Sequence, residues 1–197
     1  MTGSNILLNG KFLSAAPTGV HRVAQELGNA LADLVIEKHE AVRGLKIEVA
    51  IPHDGLERSR QMRLPVRLLT PFRGIPWEQI SLPLKSGDAM LLNLCNIGPV
   101  IARNAVTMIH DVQVHLTPES YSKGFRLWYH AVQPVMAKRH RHILTVSEFS
   151  RQEIAKARLC SLDHISVVHN GVDHVLNVAS DDSVITKFDL NQSPYVL

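Results

Sequence analysis

Short apolar runs alternate with longer amphipathic stretches along the chain. Asn5-Ile6-Leu7-Leu8 is short and apolar enough for a buried strand, and the turn-forming AAPTGV, with Pro17 and Gly19, follows it. Val20, Val23, Ala24, Leu27, Leu31 and Leu34 then recur at helical spacing on one face, with Thr18 placed to cap the helix. Lys46 to Ile51 reads as a second strand ended by Pro52, residues 52–65 as a polar and basic loop, and Val66 to Leu69 as a third strand. Trp77 to Leu84 reads as a helix broken by Pro83, Ala89 to Leu94 as a fourth strand and Val106 to His110 as a fifth. Phe125 to His142 is helical, with Trp128, Val132, Val135 and Met136 near one face and Pro134 expected to kink or divide it. Ile143 to Val146 is a strand. The next helix starts at Ser147 or Ser150, the latter with Glu153 at capping-box spacing. Ile165 to Val168 is a strand, and the final SPYVL looks like one that has barely begun.

Strands alternating with helices predict an α/β, Rossmann-like fold: a largely parallel sheet with helices on both faces. Residues 1–180 read as one such domain and residues 181–197 as a linker with the first strand of another. In parallel sheets ligands bind beyond the carboxyl ends of the strands. That rule picks out Thr18-Gly19, His110-Asp111, Ser147 and Asn170-Gly171, all at points where a strand gives way to a loop or a helix begins.

Composition narrows the function classes. With 45% hydrophobic and 20% charged residues the chain reads as soluble and globular. No apolar run reaches the roughly 18 residues of a membrane span. The start MTGSNILLNGKFL lacks the basic and apolar regions of a signal peptide, so a cytoplasmic location is expected. Cys95 and Cys160 fit a reducing compartment and have no metal-ligand spacing; a single disulfide between them stays open. The formal charge is only +3, but Arg58, Arg60, Arg63, Arg67 and Arg73 form one basic region and residues 138–142 (KRHRH) another. Each is either a solvated face or an attraction for anionic lipid or a phosphorylated ligand, including the inner face of a membrane. Sparse aromatics and the lack of a binding motif argue against nucleic acid.

The candidate chemistry is spread along the chain. A helix N-terminus at Gly19 suits a phosphate, and Arg22 would reinforce it, although PTGV can equally be a plain turn. His110 can donate or accept near neutral pH, and Asp111 can orient a neighbour or hold a sugar hydroxyl. The plain alternative is a satisfied strand-end histidine with a turn aspartate. His21, His115, His130, His164 and His169 form no local metal set, so neither a metal nor another cofactor is expected. No serine or cysteine nucleophile motif is present.

Taken in order, PTGVHRVAQELGNAL, MIHDVQVHLTPESY, ILTVSEFSRQEIAKA and ISVVHNGVD resemble the N-terminal half of retaining glycosyltransferases of family 4, of the GT-B type. The mannosyltransferase-like group that builds bacterial polysaccharides is the nearest in character. The resemblance spans about residues 4–175 and implies two Rossmann-like domains facing across a cleft, with acceptor held mainly by the first and nucleotide sugar by the second. The family's donor-diphosphate Arg and Lys and its acidic pair for the ribose have no counterpart here, so the resemblance implies either a truncated chain or half of a split enzyme, inactive alone. It implies that Gly19 lies near the donor phosphates, that His110 hydrogen-bonds the transferred sugar and that Asp111 orients the loop or acceptor hydroxyls. Ser147 and Glu148 take the place of helix-start residues by the cleft; Asn170, Gly171 and Asp173 lie in the loop toward the linker. The implied reaction moves a mannose-like hexose from a nucleoside-diphosphate sugar to a saccharide or lipid-linked saccharide with retention. A separate C-terminal half is the implied partner. Two other readings stay open: a non-catalytic membrane- or partner-binding adaptor that keeps the fold, and a Rossmann dinucleotide oxidoreductase, which the missing G-x-G-x-x-G disfavours.

Overall fold

The computed structural model describes residues 5–176, 179 and 181–190. Its strands are β1 (Asn5–Asn9), β2 (Lys46–Ile51), β3 (Val66–Leu68), β4 (Met90–Asn93), β5 (Ala105–Met108), β6 (His142–Thr145) and β7 (Ile165–Val167). They form one parallel sheet in the order β3-β2-β1-β4-β5-β6-β7. The Rossmann-like α/β fold predicted from the alternation of elements is the fold observed. Side chains along each strand alternate between the faces. Leu8 and Val49 pack toward helix α1 (Gly19–Ile36), while Leu7, Ala50 and Leu91 pack with Trp77 and Leu82 on the other side. Helix α2 carries these last two: it opens at Gly74–Pro76, widens into a π-helical turn over Trp77–Ser81 and closes at Leu82–Lys85. Helices α3 (Lys123–Arg139) and α4 (Glu148–Lys156) bring Met136 and Ile154 against Ile109, Ile143 and Ile165.

Strand connections reverse direction between β1 and β4: the chain leaves β1 toward β2 on one side and resumes at β4 on the other. Above such a reversal the loops diverge and leave a crevice, the usual ligand position in an open parallel sheet.

Several expected boundaries move. The fifth strand closes at Met108 rather than His110, although the Ile109 N–H still donates to the Leu144 carbonyl at 2.8 Å. Residues 52–65 are not all loop: His53–Gly55 is a 3-10 turn and Leu56–Ser59 a helical one. Pro83 does not break α2, and Pro134 does not divide α3, which runs unbroken; His130, whose carbonyl loses the Pro134 partner, lies on the exposed side. Ser147, not Ser150, caps α4: its Oγ accepts from the Ser150 N–H at 3.1 Å, and Glu153 pairs with Lys156 instead of closing a capping box. Thr18 caps α1 as expected, accepting from the His21 N–H. Cys95 and Cys160 are both free thiols. In the tail, Ser183–Lys187 is a short helix, and SPYVL lies outside the described residues.

The basic runs are divided by the fold. Arg58 donates to the carbonyls of Phe12 and Ala15, Arg63 pairs with Asp33, and Arg67 donates to the Lys85 carbonyl at 3.0 Å. Within residues 138–142, His140 is buried and the Arg141 side chain donates to Asn104.

Two backbone features set opposite stability responses. A Cβ on Gly10 would stand 2.5 Å from the Ala50 carbonyl, a contact that backbone must absorb. By contrast, Lys38 and Arg158 hold the left-handed conformation just past the ends of α1 and α4, at φ 55° and 58°, where glycine is unstrained. We expect Gly10→Ala to cost about 1–3 kcal/mol, and Lys38→Gly to add up to about 1 kcal/mol. Urea unfolding followed by circular dichroism measures both.

Candidate functional site

Three buried polar residues lie at the carboxyl edge: Asn9 ends β1, Asn93 ends β4 and Thr107 is the last but one residue of β5. Burial of such groups is costly unless each finds a partner, and here they satisfy one another. Asn9 Nδ2 donates to Asn93 Oδ1 at 3.0 Å, and Asn93 Nδ2 donates to Thr107 Oγ1 at 3.0 Å. Thr107 Oγ1 is 2.8 Å from His140 Nδ1, and His140 Nε2 is 3.0 Å from the Pro99 carbonyl. A carbonyl can only accept, so Nε2 carries the proton, Nδ1 accepts from the threonine hydroxyl, and every donor in the row points toward His140. At the other end Asn9 Nδ2 also donates to Glu78 Oε1 at 3.0 Å, and Lys11 Nζ meets Glu78 Oε2 at 2.6 Å. Burial holds His140 below the ordinary histidine pKa, outweighing the opposing bond to Pro99.

The loop after β4 is fixed from several sides. Asn96 has φ 62°, a left-handed conformation that asparagine tolerates. Its Oδ1 accepts from the His110 N–H at 2.7 Å. Gly98 lies against the Asn93 amide, where an added Cβ would fall 2.5 Å from Nδ2. His110 is itself 6% exposed and its Nε2 sits 2.9 Å from the Leu94 carbonyl. The same logic puts the proton on Nε2, leaving Nδ1 as a lone-pair acceptor with no partner among the described residues. Burial lowers the His110 pKa, against smaller raising effects of the Leu94 carbonyl and Asp111. The ring is neutral at physiological pH.

A cavity of about 250 Å³ opens above the β1/β4 reversal. Asn9, Lys11 and Phe12 reach it from the loop after β1, and Leu94, Cys95 and Ile97 from the loop after β4. Glu78 lines it from α2, Trp128 and Tyr129 from α3, and His21 from the first turn of α1. His21 Nδ1 donates to the Ala16 carbonyl at 3.0 Å, which frees Nε2 to accept; burial lowers its pKa as well. Burial pushes the Cys95 thiol up to about 12, so it is protonated and unreactive.

The predicted site residues do not converge on this cavity. Arg22, Asn170, Gly171 and Asp173 come together in a separate groove of about 380 Å³ between α1 and the loop after β7, which Asp33 and Arg63 also line. Thr18 and Gly19 start α1; a Cβ on Gly19 would meet nothing, so no close approach within this chain requires glycine there. Asp111 is exposed and its Oδ1 accepts from the Gln113 N–H at 3.0 Å, the turn role of the plain alternative. The two groups posed as a pair are therefore separate, and only the histidine is buried. Ser147 is a helix cap, and Glu148 pairs with Arg151 at 3.2 Å. Among the described residues no group of three or more His, Cys, Asp or Glu is placed to hold a metal, and no helix is long and apolar enough to cross a membrane. Asn9, Lys11, Glu78, Asn93, Asn96 and Tyr129 were not legible as site residues. One signal was present: two apolar strands, NILLN and MLLN, each close on an asparagine.

No family model matches the chain. The O-antigen chain mannosyltransferase RfbU of Salmonella typhimurium is 26% identical over 125 residues, which is 64% of this chain and 34% of RfbU. Anabaena Alr3699/HepE, whose crystal structure is in complex with UDP and glucose, matches with a TM-score of 0.58 at 15% identity, over 95% of this chain and 50% of HepE. The chain has the fold of one half of HepE. It spans half or less of the length of both proteins.

Neutral buried histidines make stability depend on pH. Their folded pKa values lie below the unfolded value of about 6.5, so the unfolded chain binds more protons as pH falls. The stabilisation is present above about pH 6.5 and is lost progressively below it. The urea midpoint should therefore fall between pH 7.5 and 5.5. His140→Gln should lower it at pH 7.5 and flatten the pH dependence; an unchanged slope would show that His140 has the same pKa folded and unfolded.

Proposed function

We propose that this chain forms the acceptor-side half of a glycosyltransferase. It would move a mannose-like hexose from a nucleoside-diphosphate sugar to a saccharide or lipid-linked saccharide, with retention of configuration. The observation that carries the reading is the cavity over the β1/β4 reversal, with a neutral His110 of fixed tautomer held by the same loop that lines it. The similarity to RfbU and the fold shared with half of HepE support it.

On this reading the transition state is oxocarbenium-like. The His110 Nδ1 lone pair accepts a hydroxyl hydrogen of the transferred sugar, and its low pKa keeps that lone pair available. The groove lined by Arg22 and Asn170 faces the donor side; Arg22 is held only loosely by Glu26, at 3.8 Å. Most of the leaving diphosphate's charge is met by a donor-binding half, and the 197-residue chain by itself turns over nucleotide sugar far below about 1 per second.

The test joins this chain to a donor-binding half. His110→Ala should lower turnover of the folded protein about a hundredfold, equivalent to ~3 kcal/mol of transition-state stabilisation, while the loss of its bond to the Leu94 carbonyl costs about 1–3 kcal/mol of stability. Ile109→Ala, fully buried, should instead cost about 2–5 kcal/mol of stability. If His110→Ala unfolds the protein as Ile109→Ala does while the folded fraction keeps full turnover, the histidine is structural.

We also propose peripheral association with the cytoplasmic membrane face. Ile75, Ile80 and Leu84 form an exposed apolar stripe along α2, bordered by Arg73 and Lys85. Each basic residue near an anionic surface contributes on the order of 1 kcal/mol. Co-sedimentation should be strong with anionic vesicles, weaken with salt, and fall for Arg73→Glu with Lys85→Glu. Equal sedimentation with neutral vesicles at low salt would count against it.

A further inference from the structure

The cavity's charge pattern bears on which acceptor it takes. Among the described residues Lys11 and Glu78 are the only formally charged side chains lining it, and they neutralise each other at 2.6 Å. Glu78 is 3% exposed, so diverting Lys11 to an incoming anion would leave a buried carboxylate with its charge unpaired. His21, Cys95 and Tyr129, the other titratable groups lining the cavity, are uncharged, and Arg58, whose charge reaches His21, is spent on the Phe12 and Ala15 carbonyls. The lining side chains therefore carry no net charge.

What they do offer is uncharged hydrogen bonding beside aromatic faces. Tyr129 and Trp128 line the cavity, and their Oη and Nε1 bond to no described residue. Glu78 uses one bond on each oxygen, and a carboxylate accepts about four. His21 Nε2 adds another acceptor. Phe125 stacks on Tyr129 with ring centroids 4.3 Å apart, which fixes the aromatic wall along α3. Alternating hydroxyls and C–H faces are the chemistry of a pyranose ring. At about 250 Å³ the space falls below the ~300 Å³ at which pockets for drug-sized ligands begin, so it suits one ring rather than several.

Resting on the transferase reading, we infer that this cavity seats a single uncharged pyranose of the acceptor, hydrogen-bonded by Glu78 and Tyr129 and stacked on Trp128, and that it excludes uronic acids and sugar phosphates. Glu78 is a specificity-determining residue: Lys11 cancels its charge and Asn9 fixes its orientation.

Saturation-transfer NMR and calorimetry on the 197-residue chain test this with methyl hexopyranosides, methyl glucuronide and a hexose phosphate. The neutral glycosides should bind at least tenfold more tightly than either anion. Glu78→Gln and Trp128→Ala should each weaken them tenfold or more. Circular dichroism checks folding; should Glu78→Gln not fold, Tyr129→Phe, which removes one hydroxyl, should still weaken binding severalfold. Equal or tighter binding of the anions, no binding of any neutral glycoside, or unchanged affinity in the folded variants would overturn the inference. The transferase reading fails separately. A chain joined to a donor half that binds neutral sugar but transfers nothing refutes that reading alone, whereas transfer to acidic acceptors in preference refutes the cavity's selectivity alone.

Discussion

Everything at the carboxyl edge of the sheet depends on one row of buried hydrogen bonds with a single direction. From Asn9 through Asn93 and Thr107 to His140, each group donates to the next, and the last donor is spent on the Pro99 carbonyl. A charged His140 would donate to Thr107 Oγ1 and leave the Thr107 hydroxyl hydrogen without its acceptor, in a setting where an unmade bond costs more than a made one returns. The row thus favours a neutral His140, in the same direction as the burial that lowers its pKa.

The same row explains why the loop after β4 can serve a site. Its backbone carbonyls accept from Gln79, His110, Gln133 and His140, which come from different elements, and the Asn96 side chain accepts from the His110 N–H. A loop fixed at so many points places the Leu94 carbonyl well enough to select one tautomer of His110. Rigid support of this kind separates a positioned functional group from one merely nearby. The π-helical turn in α2 has a related effect: it buries Trp77 and Glu78 side by side, one anchoring the helix to the Leu69 carbonyl and the other reaching the cavity.

Much of the fold was readable because strands and helices differ in period. Lys46–Ile51 was placed to the residue, and the α1 cap at Thr18 followed from its position before the apolar stripe. Errors arose where a side chain had a choice of role. Ser147 and Ser150 both resemble caps, and only the turn geometry decides between them. A histidine after an apolar strand is conspicuous, and the structure buries His110 at that point. A turn aspartate and a functional one look alike in sequence, and only the bond from the Gln113 N–H shows the turn role of Asp111. The cavity itself was not legible. Its members at positions 9, 11, 21, 78 and 129 meet only through the crossover between β1 and β4, which no local pattern encodes.

The bonds that complete Asn9 reach across 69 residues to Glu78 and 84 residues to Asn93. During synthesis at about 5–20 residues per second, the first strand must wait roughly 4–17 seconds for its central neighbour to emerge. Throughout that interval β1 has an open edge and a polar end without its partners, while β2 can already pair on its other side. The floor of the cavity therefore cannot become native until β4 has been made, although β1 and β2 are complete long before.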